Sequence, residues 1–181
     1  MLKKAIKPKT CRICKAEFIP DRPLQRVCGF KCAIAVYHEK QEKDRKKDIR
    51  ERKVKLKSKS DWLREAQSDF NKFIRVRDSE LHCISCGRPH VGQYHAGHYR
   101  SVGAAPELRF NEDNVHKQCS PCNNFKSGNA IEYRINLVKK IGMAKVMQLE
   151  TKHEPNHYTI DDIKEIKAIY RAKWKALEAI L

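Results

Sequence analysis

The sequence predicts an α+β protein that is mostly α-helical, in which bound zinc replaces much of the apolar core. The 181 residues suit one or two small domains. The eight cysteines fall into two sets of paired residues, and apolar residues recur at helical spacing around the second set. We therefore expect an N-terminal four-cysteine finger at 1–33, a basic helical arm at 34–60 and a main domain at 61–181.

The charge of the chain indicates a polyanionic partner. Its 39 Lys+Arg and 22 Asp+Glu residues give a formal net charge of +17, which repels itself in a compact fold. Nucleic acid is the expected partner, with no small-molecule substrate. The basic stretches lack a broad apolar face and no run of 18 apolar residues occurs, which disfavours a membrane. The basic N-terminus lacks the apolar core of a secretory signal, so we expect a cytoplasmic protein.

The first cysteine set predicts a structural zinc site. Cys11 and Cys14 are followed, after thirteen residues, by Cys28 and Cys32, a spacing that closes a tetrahedral site of four thiolates. Two disulfides are the alternative, disfavoured in a reducing compartment. The last pair leads into an apolar helix start, as in a treble-clef-like finger. Four cysteines leave no open coordination position, so its job is either DNA contact or fastening of the N-terminus.

The arm at 34–60 has a composition that favours helix but almost no apolar stripe. It is therefore either a solvated linker or a basic helix lying on phosphates, ordered alone or only on DNA. The DNA-contacting candidates in the arm are Lys46, Lys47, Arg50, Arg52 and Lys53.

Three helical patterns follow, all interpreted as packing surfaces. Ser60 is expected to cap a helix from Asp61, whose stripe is Trp62, Leu63, Ala66, Phe70, Phe73, Ile74 and Arg77. Asn129 and Glu132 have capping-box spacing before Ile131, Ile135, Val138 and Ile141, and Gly142 should end that helix. A short helix is expected at 143–149. Thr159 and Asp162 precede a final stripe of Ile163, Ile166, Tyr170, Trp174, Leu177 and Leu181.

The second cysteine set encloses the residues that indicate chemistry. Cys83 and Cys86 are separated by 32 residues from Cys119 and Cys122, again a structural zinc set. Between and beside them lie His98 on an expected strand, Asn114 in the connecting loop and Asn123 at a helix start. A His, an Asn and a further Asn or His in this order define the HNH (ββα-metal) nuclease arrangement. In it the zinc is structural, and a second, hard metal takes part in catalysis.

The expected roles follow from the needs of phosphodiester hydrolysis. His98 is the candidate general base, because a neutral imidazole near pH 7 can accept a proton from water. Asn123 and His95 are candidate ligands of Mg or Mn, which would stabilise the phosphoryl charge. His95 and His98 would share a face of the strand only if Gly97 formed a bulge. An imidazole ligand would favour manganese somewhat.

The remaining candidates surround this centre. Asn114 is expected to tie the connecting loop through its side chain. His116 either orients a phosphate or packs. Arg100 and Lys126 are candidate phosphate clamps.

These motifs together resemble the NinG (Rap) recombination proteins of lambdoid bacteriophages over nearly the whole chain. The resemblance rests on the motifs Cys11-Arg12-x-Cys14, Cys28-x3-Cys32, Ile74-Arg75-x-Arg77-Asp78, Cys83-x2-Cys86-Gly87, Ala96-Gly97-His98-Tyr99, Asn114-Val115-His116-x-Gln118-Cys119-x2-Cys122-Asn123 and Lys126-x-Gly128-Asn129. It implies a structure-selective endonuclease acting on branched recombination intermediates, including Holliday junctions and D-loops, in a bacterial host cell. Where His95 stands, the family often has Asp.

Such a protein should recognise DNA by its shape and by the positions of its phosphates, and its affinity should fall steeply with salt concentration. Two opposed cuts in a junction suggest a homodimer. The alternatives are a non-catalytic zinc-finger DNA-binding or recombination mediator protein, and an HNH enzyme acting on duplex DNA or RNA.

Overall fold

The computed structural model describes residues 7–151 and 153–180. It is mostly helical, with two small antiparallel sheets, which confirms the predicted α+β class. The chain forms two compact units, the first ending at Lys57 and the second beginning at Ser58. None of the helices in the described part of the chain is both long and apolar enough to cross a bilayer.

The first unit contains a short hairpin and one long helix. Strands β1 (Lys9–Thr10) and β2 (Glu17–Phe18) pair with Lys9 opposite Phe18. Helix α1 (Phe30–Lys55) begins after Gly29, earlier than the arm predicted from residue 34, so it includes Cys32. It is continuous over 26 residues, and none of them is buried. The protein therefore contains the continuous helix that the composition favours.

Helices α2 (Lys59–Arg77) and α5 (Ile160–Glu178) pack against each other in the second unit. The cap of α2 is Ser58, not Ser60 as predicted, because Asp61 lies three residues after Ser58 and completes a reciprocal capping box. The predicted box of Thr159 and Asp162 is confirmed at the start of α5. Leu181, the last residue of the predicted stripe, lies outside the described residues.

The core between these helices follows the predicted stripes. Its buried members are Ala66, Phe70, Phe73, Ile74, Phe110, Val115, Ile163 and Tyr170. The Phe70 and Tyr170 rings meet edge to face with centroids 4.7 Å apart. This core also holds Val115, which belongs to the second hairpin, and so fixes that hairpin against α2.

The second hairpin is made of β3 (Tyr94–His98) and β4 (Val115–Cys119). Its register is unbroken from Tyr94 opposite Cys119 to His98 opposite Val115, so the bulge predicted at Gly97 is absent. Gly97 serves close packing instead: a Cβ there would lie 2.9 Å from Gln118 Cβ and overlap the Gln118 amide oxygen. Without a bulge, His95 and His98 lie on opposite faces of the strand.

Helices α3 (Ala130–Ile141) and α4 (Met143–Glu150) form a second core with the loops around the hairpin. The predicted capping box of α3 is wrong, because Asn129 has a φ of +48° and makes no side-chain cap. The predicted face is confirmed in its second half, where Val138 and Ile141 pack against this core, and wrong in its first half. There Tyr133 and Leu137 are buried, whereas Ile131 is 78% exposed. Tyr133 points inward because its hydroxyl donates to the Gly97 carbonyl at 2.9 Å. Gly142 ends α3 as predicted.

Candidate functional site

The second cysteine set converges at the end of the hairpin. Cys119 is the last residue of β4, Cys122 lies in a short helical turn at Pro121–Phe125, and Cys83 and Cys86 lie in the turn that follows α2. Ligand atoms of all four residues lie within 4.8 Å of one another, which fits a tetrahedral metal. The tetrad could therefore hold zinc and would join α2, the hairpin and the chain that leads to α3.

Backbone amides prepare this tetrad for a cation. Burial alone would raise the pKa of the Cys83 thiol, but hydrogen bonds from the amides around Cys119 and Cys86 outweigh it and lower the pKa. The Cys119 amide lies 3.3 Å from Cys83 Sγ. Burial and the neighbouring thiols raise the pKa of Cys119, and they raise that of Cys122 to about 12. Because the thiolate is the form that binds zinc, a bound cation would be needed to keep all four thiols deprotonated.

The first cysteine set also gathers into a tetrad. Cys11 and Cys14 lie in the turn between β1 and β2, while Cys32 lies in the first turn of α1. Sγ distances are 3.5 Å for Cys14–Cys28 and 3.7 Å for Cys28–Cys32. This cluster could hold a second zinc, and the position of Cys32 at a helix start matches the predicted finger.

His98 is the last residue of β3, and its ring is held by a backbone carbonyl. Its Nε2 lies 3.1 Å from the carbonyl oxygen of Arg109. The Arg109 side chain is anchored in turn, because its Nε donates to Gln67 Oε1 of α2 at 2.9 Å. A ring that donates from Nε2 carries its lone pair on Nδ1, the form that a general base requires.

The surroundings of His98 keep its ring neutral. Burial lowers the pKa of the imidazole below its ordinary value of 6.5, and the positive charge of Arg109 adds to this effect. The carbonyls of Arg109 and Ala96 act in the opposite direction and do not cancel it. The ring is thus able to accept a proton at neutral pH.

Asn114 is fully buried and ties the loop between the two strands. Its Oδ1 accepts from the Arg100 amide at 2.8 Å, and its Nδ2 donates to the carbonyls of Arg100 and Leu108 at 3.0 and 3.2 Å. The Tyr99 amide donates to the Asn114 carbonyl at 2.8 Å. These bonds fix the chain directly after His98, so Asn114 positions the candidate base and has no amide group left for a substrate.

His116 belongs to a buried charged cluster that the sequence interpretation did not include. Its Nδ1 accepts from Arg77 and Lys140 at 2.9 and 3.0 Å, and its Nε2 donates to the Asp113 carbonyl at 3.1 Å. Burial lowers its pKa, as do the neighbouring cations, while Asp78 raises it. Both ring nitrogens are therefore occupied, and His116 packs rather than orients a phosphate.

Asp78 is the centre of this cluster. It is 2% exposed, and its carboxylate binds Arg77 at 2.9 Å, Lys140 at 3.1 Å and the Lys117 amide at 3.1 Å. Burial alone would raise the pKa of Asp78, but His116, Arg77 and Lys140 hold it well below the usual range. The Arg77-Asp78 pair at the end of α2 was a visible signal in the sequence, although nothing local showed that it would be buried.

Replacing Asp78 with alanine should lower the free energy of unfolding of the second unit by about 3 kcal/mol, because Arg77 and Lys140 lose their counter-charge. Urea unfolding followed by the fluorescence of Trp62 and Trp174, both in this unit, measures the change. Asp161→Ala is the matched control: its carboxylate is 91% exposed and pairs with Lys164, so the loss should stay below about 1 kcal/mol. Equal losses in the two variants would contradict a structural role for the cluster.

The contribution of Asp78 has a defined pH dependence. Because its pKa is depressed in the folded state, the stabilisation is complete above the ordinary carboxyl pKa of 3.8 and is lost only as the pH falls below it.

Within the described part of the chain, no contact brings the candidate metal ligands His95 and Asn123 to His98. His95 faces away from His98, about 10 Å along the strand, and its buried Nε2 has no hydrogen-bond partner. The Asn123 amide nitrogen donates to Asn124 Oδ1 at 2.7 Å, which leaves its carbonyl oxygen as the possible ligand atom. Among residues 7–151 and 153–180, only the two cysteine tetrads gather three or more potential ligands of the Cys, His, Asp and Glu types.

The two candidate phosphate clamps, Arg100 and Lys126, differ in solvent exposure and in the contacts that they already make. Arg100 is partly buried, and its guanidinium lies 3.4 Å from the Glu150 carbonyl, so it is partly engaged. Lys126 is exposed in the loop before α3. Exposed Phe125 precedes it, 82% accessible.

Comparison with known proteins identifies the relatives of this chain. A family model described as "NinG: Bacteriophage Lambda NinG protein" matches residues 3–179. Protein ninG of Escherichia phage lambda is 40% identical over 182 residues, covering 91% of this chain and 89% of that protein. Protein ninG of Salmonella phage P22 is 40% identical, with 91% and 90% coverage, and that of Escherichia phage 933W is 40% identical, with 93% and 93%. No solved structure matches the chain.

Proposed function

The chain belongs to the NinG family of lambdoid phage recombination proteins, and we propose that it is a metal-dependent DNA endonuclease of the HNH type that cuts branched recombination intermediates. The observation that carries the proposal is His98, a neutral imidazole held by the Arg109 carbonyl at the end of a hairpin whose strands lead into a cysteine tetrad. His98 pairs with Val115, at the other end of the hairpin from Cys119, and a purely structural tetrad does not need an oriented, neutral histidine there.

The proton transfer follows from this geometry. Nδ1 of His98 takes a proton from a water molecule, whose oxygen bonds to the phosphorus of the scissile phosphodiester. The P–O bond to the leaving sugar oxygen breaks, and that oxygen takes a proton from solvent water. Asn114 holds the loop after His98, and Gln67 holds Arg109 from α2, so the ring keeps its orientation without substrate. A positioned general base of this kind contributes about 10²–10⁴-fold to a rate.

A divalent ion would stabilise the charge that develops on the phosphoryl group. The residues around His98 fit such an ion only in part, because no carboxylate cluster accompanies them among the described residues. The buried Nε2 of His95 and the side-chain carbonyl oxygen of half-buried Asn123 would be the protein ligands, and they lie on separate parts of the hairpin region. Phosphate oxygens commonly complete the coordination of magnesium, so the substrate itself would supply ligands.

The competing function is that of a DNA-binding protein without catalysis. The lack of a described carboxylate cluster favours it, since both tetrads and the net charge of +17 would serve binding alone. It does not account for the orientation of His98.

The experiment that separates the two functions uses a labelled four-way junction and a linear duplex of the same sequence. We expect the wild type to cut the junction in Mg or Mn, to leave the matched duplex largely uncut, and to require the added ion. Paired cuts on opposite strands would indicate that two copies act together. Tight binding without cutting in either metal would contradict the nuclease proposal and support the non-catalytic function. Equal cutting of junction and duplex would contradict a preference for branched DNA.

A further inference from the structure

Helix α1 has two electrostatically different faces. At about 100° per residue, Lys43, Lys46, Arg50 and Lys53 fall within about 80° of the helix circumference. Asp44, Asp48 and Glu51 occupy a sector centred about 150° away. All seven residues are exposed. Three of the five acidic residues between positions 39 and 51 thus lie on the side of the helix opposite these four cations.

Ion pairs strengthen this separation. Asp48 binds Arg52 at 3.0 Å, and Glu51 lies 3.9 Å from Lys47, so two of the predicted DNA-contacting residues are engaged with acids. By contrast, the side chains of the basic stripe, Lys43, Lys46, Arg50 and Lys53, make no hydrogen bond or ion pair within the described part of the chain.

Two other acids lie near the basic stripe, and both have partners. Glu42 senses the charge of Lys46, but its carboxylate is held by both Nε and a terminal nitrogen of Arg45, at 3.0 and 2.8 Å. Glu39 lies one turn before Lys43 and binds Arg12 at 3.1 Å. The stripe therefore remains the uncompensated positive surface of α1.

The stripe fits a linear polyanion better than a protein or a membrane. Its ten-residue span corresponds to about 15 Å, along which a DNA duplex carries about nine phosphate charges. The helix buries no residue and has no broad apolar face, as membrane-surface binding would require. Val54 is an exposed apolar side chain beside Arg50, but residues 43–53 contain no aromatic ring that could stack on a base. The surface therefore matches phosphates rather than base edges.

We propose that the face of α1 formed by Lys43, Lys46, Arg50 and Lys53 is the surface that binds the DNA backbone, and that the opposite face does not touch DNA. The inference rests on the proposed function, because it takes DNA as the partner. It changes the set of DNA-contacting residues predicted for the arm: Lys43 is added, and Lys47 and Arg52 are removed.

Two quadruple variants of the full chain test it. The stripe variant replaces Lys43, Lys46, Arg50 and Lys53 with Gln, and the control replaces Lys40, Lys47, Arg52 and Lys55 with Gln, which leaves the Arg45–Glu42 pair intact. Both lower the net charge by four and keep a good helix former at each position. Circular dichroism verifies the helix. Fluorescence anisotropy then measures junction and duplex affinity against KCl concentration, without magnesium or manganese, so that cleavage plays no part.

We expect the stripe variant to lower the slope of log affinity against log salt by about 3–4, and the control by less than about 1. Equal effects of both variants would mean that net charge alone acts and would overturn the inference. So would duplex RNA that competes as well as duplex DNA. If the wild type cuts the junction but the stripe variant binds unchanged, the inference fails and the nuclease stands; if the wild type neither binds nor cuts, the proposed function fails.

Discussion

Replacing His98 with alanine is expected to reduce junction cleavage by about 10²–10⁴-fold, because no other group would accept the proton of the attacking water. Binding of the junction should stay within about twofold of wild type, since phosphate contacts dominate affinity. Single-turnover cleavage at saturating protein measures the first quantity, and anisotropy without magnesium or manganese measures the second. Together they separate a catalytic defect from a binding defect.

The control for this variant is His157→Ala, which removes an exposed histidine outside the motifs. It should cleave at the wild-type rate. Retention of activity in His98→Ala would exclude His98 as the base. If His98→Ala also loses junction binding or its cooperative unfolding transition, the defect is structural: the variant has disturbed the loop that His98 contacts through the Arg109 carbonyl.

The pH profile gives an independent readout of the same residue. The base is active when neutral, and its pKa lies below 6.5, so the rate should already be at its plateau at pH 7 and fall only in more acidic solution. A rate that continues to rise above pH 7 would point to a different titrating group, such as metal-bound water.

The second large effect is expected from loss of the metal at the Cys83, Cys86, Cys119 and Cys122 tetrad. Structural zinc supplies about 10–16 kcal/mol of apparent binding free energy in small zinc domains, which equals or exceeds the whole stability of a typical domain. Cys119→Ser should therefore reduce bound zinc from two ions to one per chain and unfold the region that joins the hairpin to α3. Elemental analysis and tryptophan fluorescence measure the two effects.

The first tetrad provides the matched control. Cys28→Ser should also remove one zinc, but it should leave the fluorescence of Trp62 and Trp174 unchanged, because both lie in the second unit. Stepwise chelation of the wild type provides a second test, because it removes the metal without changing any side chain. Removal of both ions without any change in the second unit would contradict a structural role for its tetrad.

The sequence by itself determined the features that depend on local spacing. Paired cysteines predicted two tetrads, and both gather in the structure. Apolar periodicity predicted the buried sides of α2 and α5, where Phe70, Ile74, Ile163 and Tyr170 recur at helical intervals on a single side. These predictions succeeded because a ligand pair or a helix stripe is encoded within one or two turns of chain.

The tertiary structure decided the features that depend on contacts between distant segments. The buried face of α3 follows from a hydrogen bond between Tyr133 and Gly97, 36 residues apart, which overrides the stripe of isoleucines. Gly97 makes room for Gln118 instead of forming a bulge, which leaves His95 and His98 on opposite faces. One of the counter-charges of buried Asp78 is Lys140, which α3 supplies from 62 residues away. Cross-strand register and buried charge depend on which partners the fold supplies, and spacing along the chain does not contain that information.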